Sequence, residues 1–324
     1  MEKINPSSKT VLCITGATGF VGRATVKRLL QSDQYAIRAL TRKRGPNHHL
    51  PKQVKLFQGD LLLKNSLQPF LDSASILINL AYCKDSTREQ NIQGTNNLIK
   101  AARETNLQKI VHCSTAVVAG RSRANVVNEE TVCLPHTDYE QTKSEIEKCF
   151  VRNSRNAYQL AILRPTVIFG KGGTNLIKIL DDYKYDSQLI KYLRQLIYSD
   201  RYINLVSINS VVDALIFLVS KETHDESPIF IISDDEYSTN NYRSLINSIE
   251  NKPNRRPNNV LENISSTCLL PLLLLISGRS NTKRKTTYSW DKLRSAGFVK
   301  SSNFDQQIKM YCEWYMRTKI SKEK

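Results

Sequence analysis

Thr15-Gly16-Ala17-Thr18-Gly19-Phe20-Val21-Gly22 follows directly on the apolar run Val11-Leu12-Cys13-Ile14 and precedes the helical pattern Arg23 to Leu30. A buried strand, a glycine turn and a helix in that order predict the opening of a dinucleotide-binding βαβ unit. Gly16 permits the sharp turn, Gly19 lets a pyrophosphate approach the backbone, and Gly22 lets the helix lie close to the sheet. The anion then sits at the helix N-terminus, where free N–H groups and the helix dipole favour negative charge. Gly16, Thr18, Gly19, Phe20, Val21 and Gly22 therefore form the predicted cradle. Alone, such a glycine run is also compatible with a simple tight turn, so the rest of the chain has to decide.

Working outward, Tyr35 to Leu40 reads as a second strand. Its end carries Thr41-Arg42-Lys43-Arg44 instead of the acidic residue that often binds the adenosine ribose. Arg42 can fork onto a 2′-phosphate, which favours NADP(H) and leaves NAD(H) as the alternative. The bland reading of these cations is a solvated loop. Val54 to Leu61 is a third strand ending in Gly59-Asp60-Leu61, with Asp60 placed to accept from an adenine amino group and Leu61 to pack the ring edge. Ile76 to Ala81 is a fourth, and small Ala81 leaves room where a dinucleotide would pass. Asn91 to Ala102 has helical periodicity. Lys109 to Thr115 is a fifth strand, in which His112 reads as packing and not as a ligand.

Tyr139-Glu140-Gln141-Thr142-Lys143 is the next constellation. An i, i+4 spacing puts Tyr139 and Lys143 on one helix face. An ammonium beside a phenol favours the phenolate, which can exchange a proton with a carbinol or ketone while hydride moves to or from a nicotinamide. A hydroxyl at the end of the preceding strand would orient the reacting oxygen.

Together these segments resemble the extended short-chain dehydrogenase/reductase superfamily in its NAD-dependent epimerase/dehydratase branch. The matching stretches are the glycine turn, Gly59-Asp60-Leu61, Asn91-Ile92-Gln93-Gly94-Thr95-Asn96-Asn97-Leu98, Ser114-Thr115-Ala116-Val117-Val118-Ala119-Gly120, Tyr139 with Lys143, Leu163-Arg164-Pro165-Thr166-Val167-Ile168-Phe169-Gly170, and a late Lys292-Leu293 before Gly297-Phe298. The resemblance implies a catalytic trio of Thr115, Tyr139 and Lys143, with Ser114 beside it. It also implies a doubly wound parallel α/β sheet over residues 1–170, to which some later segments return, and a smaller lobe built mainly from 171–324. Asn175 becomes a candidate contact to a substrate diphosphate, and homodimerisation is common among such proteins. Two departures stand out: Ala119 replaces the tyrosine often found before the glycine, and Asn209-Ser210 replace a pair of carboxylates.

The 324 residues carry a formal charge of +17, which suits an anionic substrate, a membrane surface or nucleic acid. No helix-turn-helix, zinc finger or aromatic RNA motif supports nucleic acid. The seven cysteines are scattered, with no C-x-x-C pair and no metal-ligand spacing. They suit a reduced compartment, and with a polar N-terminus lacking an apolar core they point to the cytoplasm. Leu269 to Ile276, followed by Arg279, Lys283, Arg284 and Lys285, reads either as a packed helix or as a weak membrane-surface contact. Tyr183 to Arg201 reads as an irregular insertion, and Ser238 as the start of a helix capped by Thr239 or Asn240. The expected activity is oxidoreduction at C4 of a nucleotide-activated sugar, as in reducing a UDP-4-keto-6-deoxy sugar for surface-polysaccharide assembly. A 4-epimerase retaining NAD, acting on a nucleotide sugar or a polyprenyl-diphosphate-linked one, is the alternative. A reductase of apolar ketones and a non-catalytic dinucleotide sensor are the readings from other classes.

Overall fold

The computed structural model describes residues 9–42, 49–198, 201–222, 228–250, 252 and 286–320. The strands are β1 (Thr10–Thr15), β2 (Tyr35–Thr41), β3 (Lys55–Gln58), β4 (Ile76–Asn79), β5 (Lys109–Cys113), β6 (Val126–Val127), β7 (Gln159–Pro165), β8 (Val167–Phe169), β9 (Leu205–Ser207), β10 (Ile229–Ile232) and β11 (Thr287–Tyr288). Seven of them form one parallel sheet in the order β10-β7-β5-β4-β1-β2-β3. Every residue of β5 is buried, as expected for an inner strand covered on both faces. The order reverses between β1 and β4, and the carboxyl ends of strands at such a switch point form a crevice. β8 pairs with β9 and β11 with β6, each as a separate two-stranded parallel ribbon.

The helices are α1 (Phe20–Leu29), α2 (Gln68–Leu71), α3 (Arg88–Glu104), α4 (Asp138–Ser154), α5 (Ile177–Tyr185), α6 (Gln188–Tyr198), α7 (Ile208–Ser220), α8 (Tyr242–Ile249), α9 (Asp291–Ser295) and α10 (Phe304–Ile320). Two apolar clusters hold helices on opposite faces of the sheet. Val26 and Leu29 of α1 meet Val211 and Leu215 of α7 over Leu12 and Ile14. Leu98 of α3 meets Ile146 and Phe150 of α4 over Leu77 and Ile110. Phe150 is fully buried, so truncation to Ala would cost about 3–5 kcal/mol. A third cluster joins Leu180, Leu245, Phe304, Ile308 and Tyr311 beyond the sheet. Helices α3 and α4 both open with a capping box, Thr87 with Gln90 and Thr137 with Glu140.

Two local expectations change. The stretch from Tyr183 to Arg201 is mostly helical, not irregular. Tyr183 is buried on α5 and donates to Glu250 at 2.5 Å, and Arg194 of α6 pairs with Asp186 at 2.6 Å. Leu189, Ile190 and Tyr192 of α6 stand exposed among the polar residues, which blurs the apolar stripe in the sequence. The helix after Ser238 starts later, at Tyr242, and its cap is Asn241, whose side chain accepts from Ser244 N at 2.9 Å. Asn240 cannot cap because it is fully buried, bonded to both backbone groups of Leu205 and to Asp235. The Leu269 to Ile276 patch and the cations after it lie outside the described residues. No described helix is long and apolar enough to cross a membrane.

Candidate active site

A cleft of about 780 Å³ opens at the carboxyl ends of β1, β2, β3 and β4. Of the predicted cradle and adenosine contacts, Gly16, Thr18, Gly19, Arg42, Asp60, Leu61 and Ala81 line it. Gly16 has φ +69°, and a Cβ there would stand 2.8 Å from the Leu80 carbonyl carbon. A Cβ on Gly22 would stand 2.2 Å from Gly16 O, so α1 can dock on the turn only without one. Helix α1 has Gly19 as N-cap, no side-chain cap and no acid in its first turn. Its leading N–H groups are thus not taken by a side chain, and an anion fits them. Phe20, Val21 and Gly22 do not line the cleft. The Phe20 ring turns to a different cleft and abuts Gly173, and Val21 packs on the core.

Asp60 accepts from Leu62 N at 2.9 Å, which fixes its carboxylate at the end of β3. Arg42 is exposed at the cleft rim. Below the cleft, a buried polar row crosses the sheet along one line of its register, Thr15 to Asn79 to His112. Ala81 N donates to Thr15 Oγ1 at 3.3 Å, Thr15 donates to Asn79 Oδ1 at 2.5 Å, and Asn79 Nδ2 donates to His112 Nδ1 at 3.0 Å. With Nδ1 accepting, the imidazole proton belongs on Nε2, which is buried without a partner. His112 also stacks at 4.7 Å on Phe150, so it packs as expected and carries a hydrogen bond besides. Burial and the nearby Lys143 charge hold its pKa well below the usual value, keeping it neutral.

Beside the cleft, across one of its lining rings, stand residues from the end of β5 and from α4. Thr115 caps a 3-10 turn over Ala116–Ala119, accepting from Val117 N at 3.4 Å, and its hydroxyl lies near enough to the Tyr139 phenol to favour the phenolate. Lys143 is buried one turn after Tyr139 and donates to Cys113 O at 3.3 Å. The Tyr139 ring is 41% exposed, yet desolvation at its hydroxyl pushes the phenol up to about 12. Cys113 and Tyr82 push the same way, and the nearby Thr115 hydroxyl opposes them. The Lys143 pKa is lowered, chiefly by burial, and its ammonium is turned to a carbonyl and a ring.

That ring is Tyr82, which the sequence reading missed. It meets Tyr139 edge to face at 5.2 Å, lies 5.0 Å from Lys143 Nζ, and lines the first cleft. Ala119 is buried against Val127 and Ile231 and offers no aromatic wall. Ser114 stands beside the trio with its Oγ buried and unpartnered. Asn175 lies apart, beyond β8, its Nδ2 donating to Ile168 O at 2.8 Å.

The Asn91-x-x-Gly94 motif has a physical reason. Asn91 accepts from Cys83 N at 3.1 Å and donates to Cys83 O at 3.0 Å, fixing the loop that carries Tyr82. Leu61 packs over Gly94, and Asn97 Nδ2 donates to Leu61 O at 2.9 Å. One helix face thus holds two walls of the cleft. A phenol, a hydroxyl and a buried ammonium beside such a cleft can hold an oxygen and move a proton to or from it.

A model of the NAD dependent epimerase/dehydratase family matches residues 12–227, and the chain belongs to that family. It is similar to sterol-4-alpha-carboxylate 3-dehydrogenase erg26 of Schizosaccharomyces pombe, 28% identical over 174 residues, covering 49% of this chain and 51% of that protein. It is equally similar to UDP-glucose 4-epimerase of Vibrio cholerae, 28% over 180 residues, covering 51% and 53%. The chain spans about half the length of the curated relatives it matches. In fold it is similar over nearly its whole length to the Bordetella bronchiseptica enzyme WbmG in complex with NAD, with TM-score 0.70, 15% identity, and 97% and 96% of the two chains covered.

Proposed function

We propose that the chain is a nicotinamide-dinucleotide-dependent oxidoreductase acting at C4 of a nucleotide-activated sugar. Residues 1–170 would mainly hold the dinucleotide and residues 171–324 mainly the substrate. The observation that carries this reading is the meeting of Tyr139, Thr115 and Lys143 beside the glycine-turn cleft. Gly16, Gly19 and the uncapped start of α1 would hold the pyrophosphate, Asp60 and Leu61 the adenine, and Ala81 would leave the passage between. When bound, the nicotinamide supplies a hydride acceptor or donor and, oxidised, a positive charge that favours the Tyr139 phenolate. Tyr139 exchanges a proton with the C4 oxygen, Thr115 holds that oxygen, and Lys143 holds a ribose hydroxyl. Ser114 is near enough to the trio to touch the sugar. Asn175 keeps a second Nδ2 hydrogen for a diphosphate oxygen, and the charge of +17 supports an anionic substrate.

Reduction of a 4-keto sugar for surface-polysaccharide assembly and 4-epimerisation use the same trio and differ in what becomes of the hydride. Arg42 supports NADP(H), whereas the family and the NAD complex of WbmG support NAD(H). The test is to denature the purified protein, identify any nicotinamide released, and titrate the emptied protein with NADH and NADPH. Retained NAD with weak NADPH binding favours the epimerase. An empty site that prefers NADPH, with the preference lost in Arg42→Ala, favours the reductase. A protein that binds neither overturns both.

A second reading, oxidoreduction of an apolar hydroxy or keto compound such as a sterol, is favoured by the Tyr82 ring against Tyr139 and by the sterol dehydrogenase relatives. Incubation with nucleotide sugars and with sterols, followed by mass spectrometry of the products, separates the two.

A further inference from the structure

A second cleft, of about 310 Å³, lies on the outer side of α1, away from the glycine-turn cleft. Arg23 and Lys27, one turn apart on α1, line it together with Lys171, which follows β8. Asn209 at the start of α7 and Gln307 of α10 complete its polar lining, and Phe20 and Tyr311 give it an aromatic floor. Among the described residues no carboxylate lines it. Among the described residues, Lys27 and Lys171 have no ion pair, and Arg23 donates to the Thr18 carbonyl at 2.8 Å. Asp213, the acid closest along α7, is already taken by Arg28 at 3.1 Å and by Ser301.

Three like charges converging on one small concavity repel one another unless an anion enters. Arg23 offers a planar fork to phosphate oxygens, and the two lysines offer point charges. Asn209 Nδ2 donates to Gln307 Oε1 at 3.0 Å, which leaves Gln307 Nε2 as a further donor. The volume is at the lower end for small-molecule sites, too small for a dinucleotide and enough for a phosphate with a compact organic group. The wall is shared between the two parts of the molecule. Arg23 touches the glycine turn through Thr18, and Tyr311 of α10 donates to Gly173 O at 3.4 Å.

We propose that this second cleft binds a small phosphate-bearing ligand, of pyrophosphate or sugar-phosphate size, separately from the dinucleotide. Occupancy would tie α10 and the Gly170-to-Gly173 segment to α1, the helix that carries the cradle.

The test is calorimetric titration of the full chain with inorganic pyrophosphate and, separately, with glucose 1-phosphate. NAD is held at a concentration that saturates its own titration. The expected result is one saturable event for at least one probe. It weakens roughly tenfold in the Lys27→Ser, Lys171→Ser double variant, while the NAD titration and the melting temperature stay unchanged. If the double variant melts early, Lys171→Ser alone, in a loop, should weaken the event roughly threefold. Equal binding in wild type and variants puts the phosphate elsewhere and overturns the proposal. So does the absence of a saturable event with either probe, or variant-sensitive binding only to phosphatidylglycerol vesicles.

Discussion

On the glycine-turn side of the first cleft, backbone holds the geometry. Gly16 turns the chain and Gly22 brings the helix onto it. On the α4 side, side chains hold it, and several of them are buried charges. Lys143 is fixed to the Cys113 carbonyl, and one turn further on Glu147 takes a two-pronged bond from Arg164 of β7, at 3.0 and 2.6 Å. Both members of that pair are nearly inaccessible. A wall made of backbone tolerates changes of pH and of side chains outside its glycines. A wall made of buried charges fails when one partner is removed, because the other is left desolvated.

Four experiments probe that contrast. Tyr139→Phe should lower turnover about 10²- to 10⁴-fold, measured on the substrate that the product assay identifies, with dinucleotide titration unchanged. Full activity in this variant would end the assignment of the α4 wall to chemistry. Glu147→Ala should lower the unfolding free energy in urea by about 3–5 kcal/mol, and replacing both partners by Leu and Met should recover much of the loss. A cost below about 1 kcal/mol would mean that the pair does not brace α4.

The third concerns pH. The folded pKa of His112 is depressed, so below the unfolded value near 6.5 the unfolded chain binds a proton that the folded chain does not. Stability should therefore fall as pH drops below about 6.5, by up to about 1.4 kcal/mol per unit, and His112→Asn should flatten that slope. An unchanged slope would assign the acid sensitivity to other groups. The smallest effect is expected from Asn91→Ala, about 1 kcal/mol from the unpaired Cys83 backbone, read as a lower melting temperature. A neutral result would leave the Tyr82 loop held by its other contacts.

The same contrast explains what could be read from the chain. Strands β1 and β4 carry continuous apolar runs, β2 and β5 are apolar but for Arg38, Thr41, Lys109 and His112, and the glycine turn has only a few backbone solutions, so most of that wall was visible in the chain. Tyr139 and Lys143 were visible through helical spacing, but their environment was not. Tyr82 reaches Tyr139 and Lys143 from a loop, and Glu147 finds Arg164 across a layer of the fold, contacts that no periodicity encodes. Phe20 sits in the motif yet turns its ring to the second cleft, because a helix side chain and its own N–H point different ways. Asn240 looked like a cap because its residue type favours caps, and tertiary burial overrode that preference.

The grip of Asn91 on Cys83 is through the backbone alone, amide to N–H and carbonyl. The path of the Tyr82-Cys83 loop is therefore independent of which side chains it displays. That makes residues 82 and 83 an exchangeable panel on a fixed frame: substitutions there can reshape what faces Tyr139 and Lys143 while the neighbouring glycine-turn wall keeps its form.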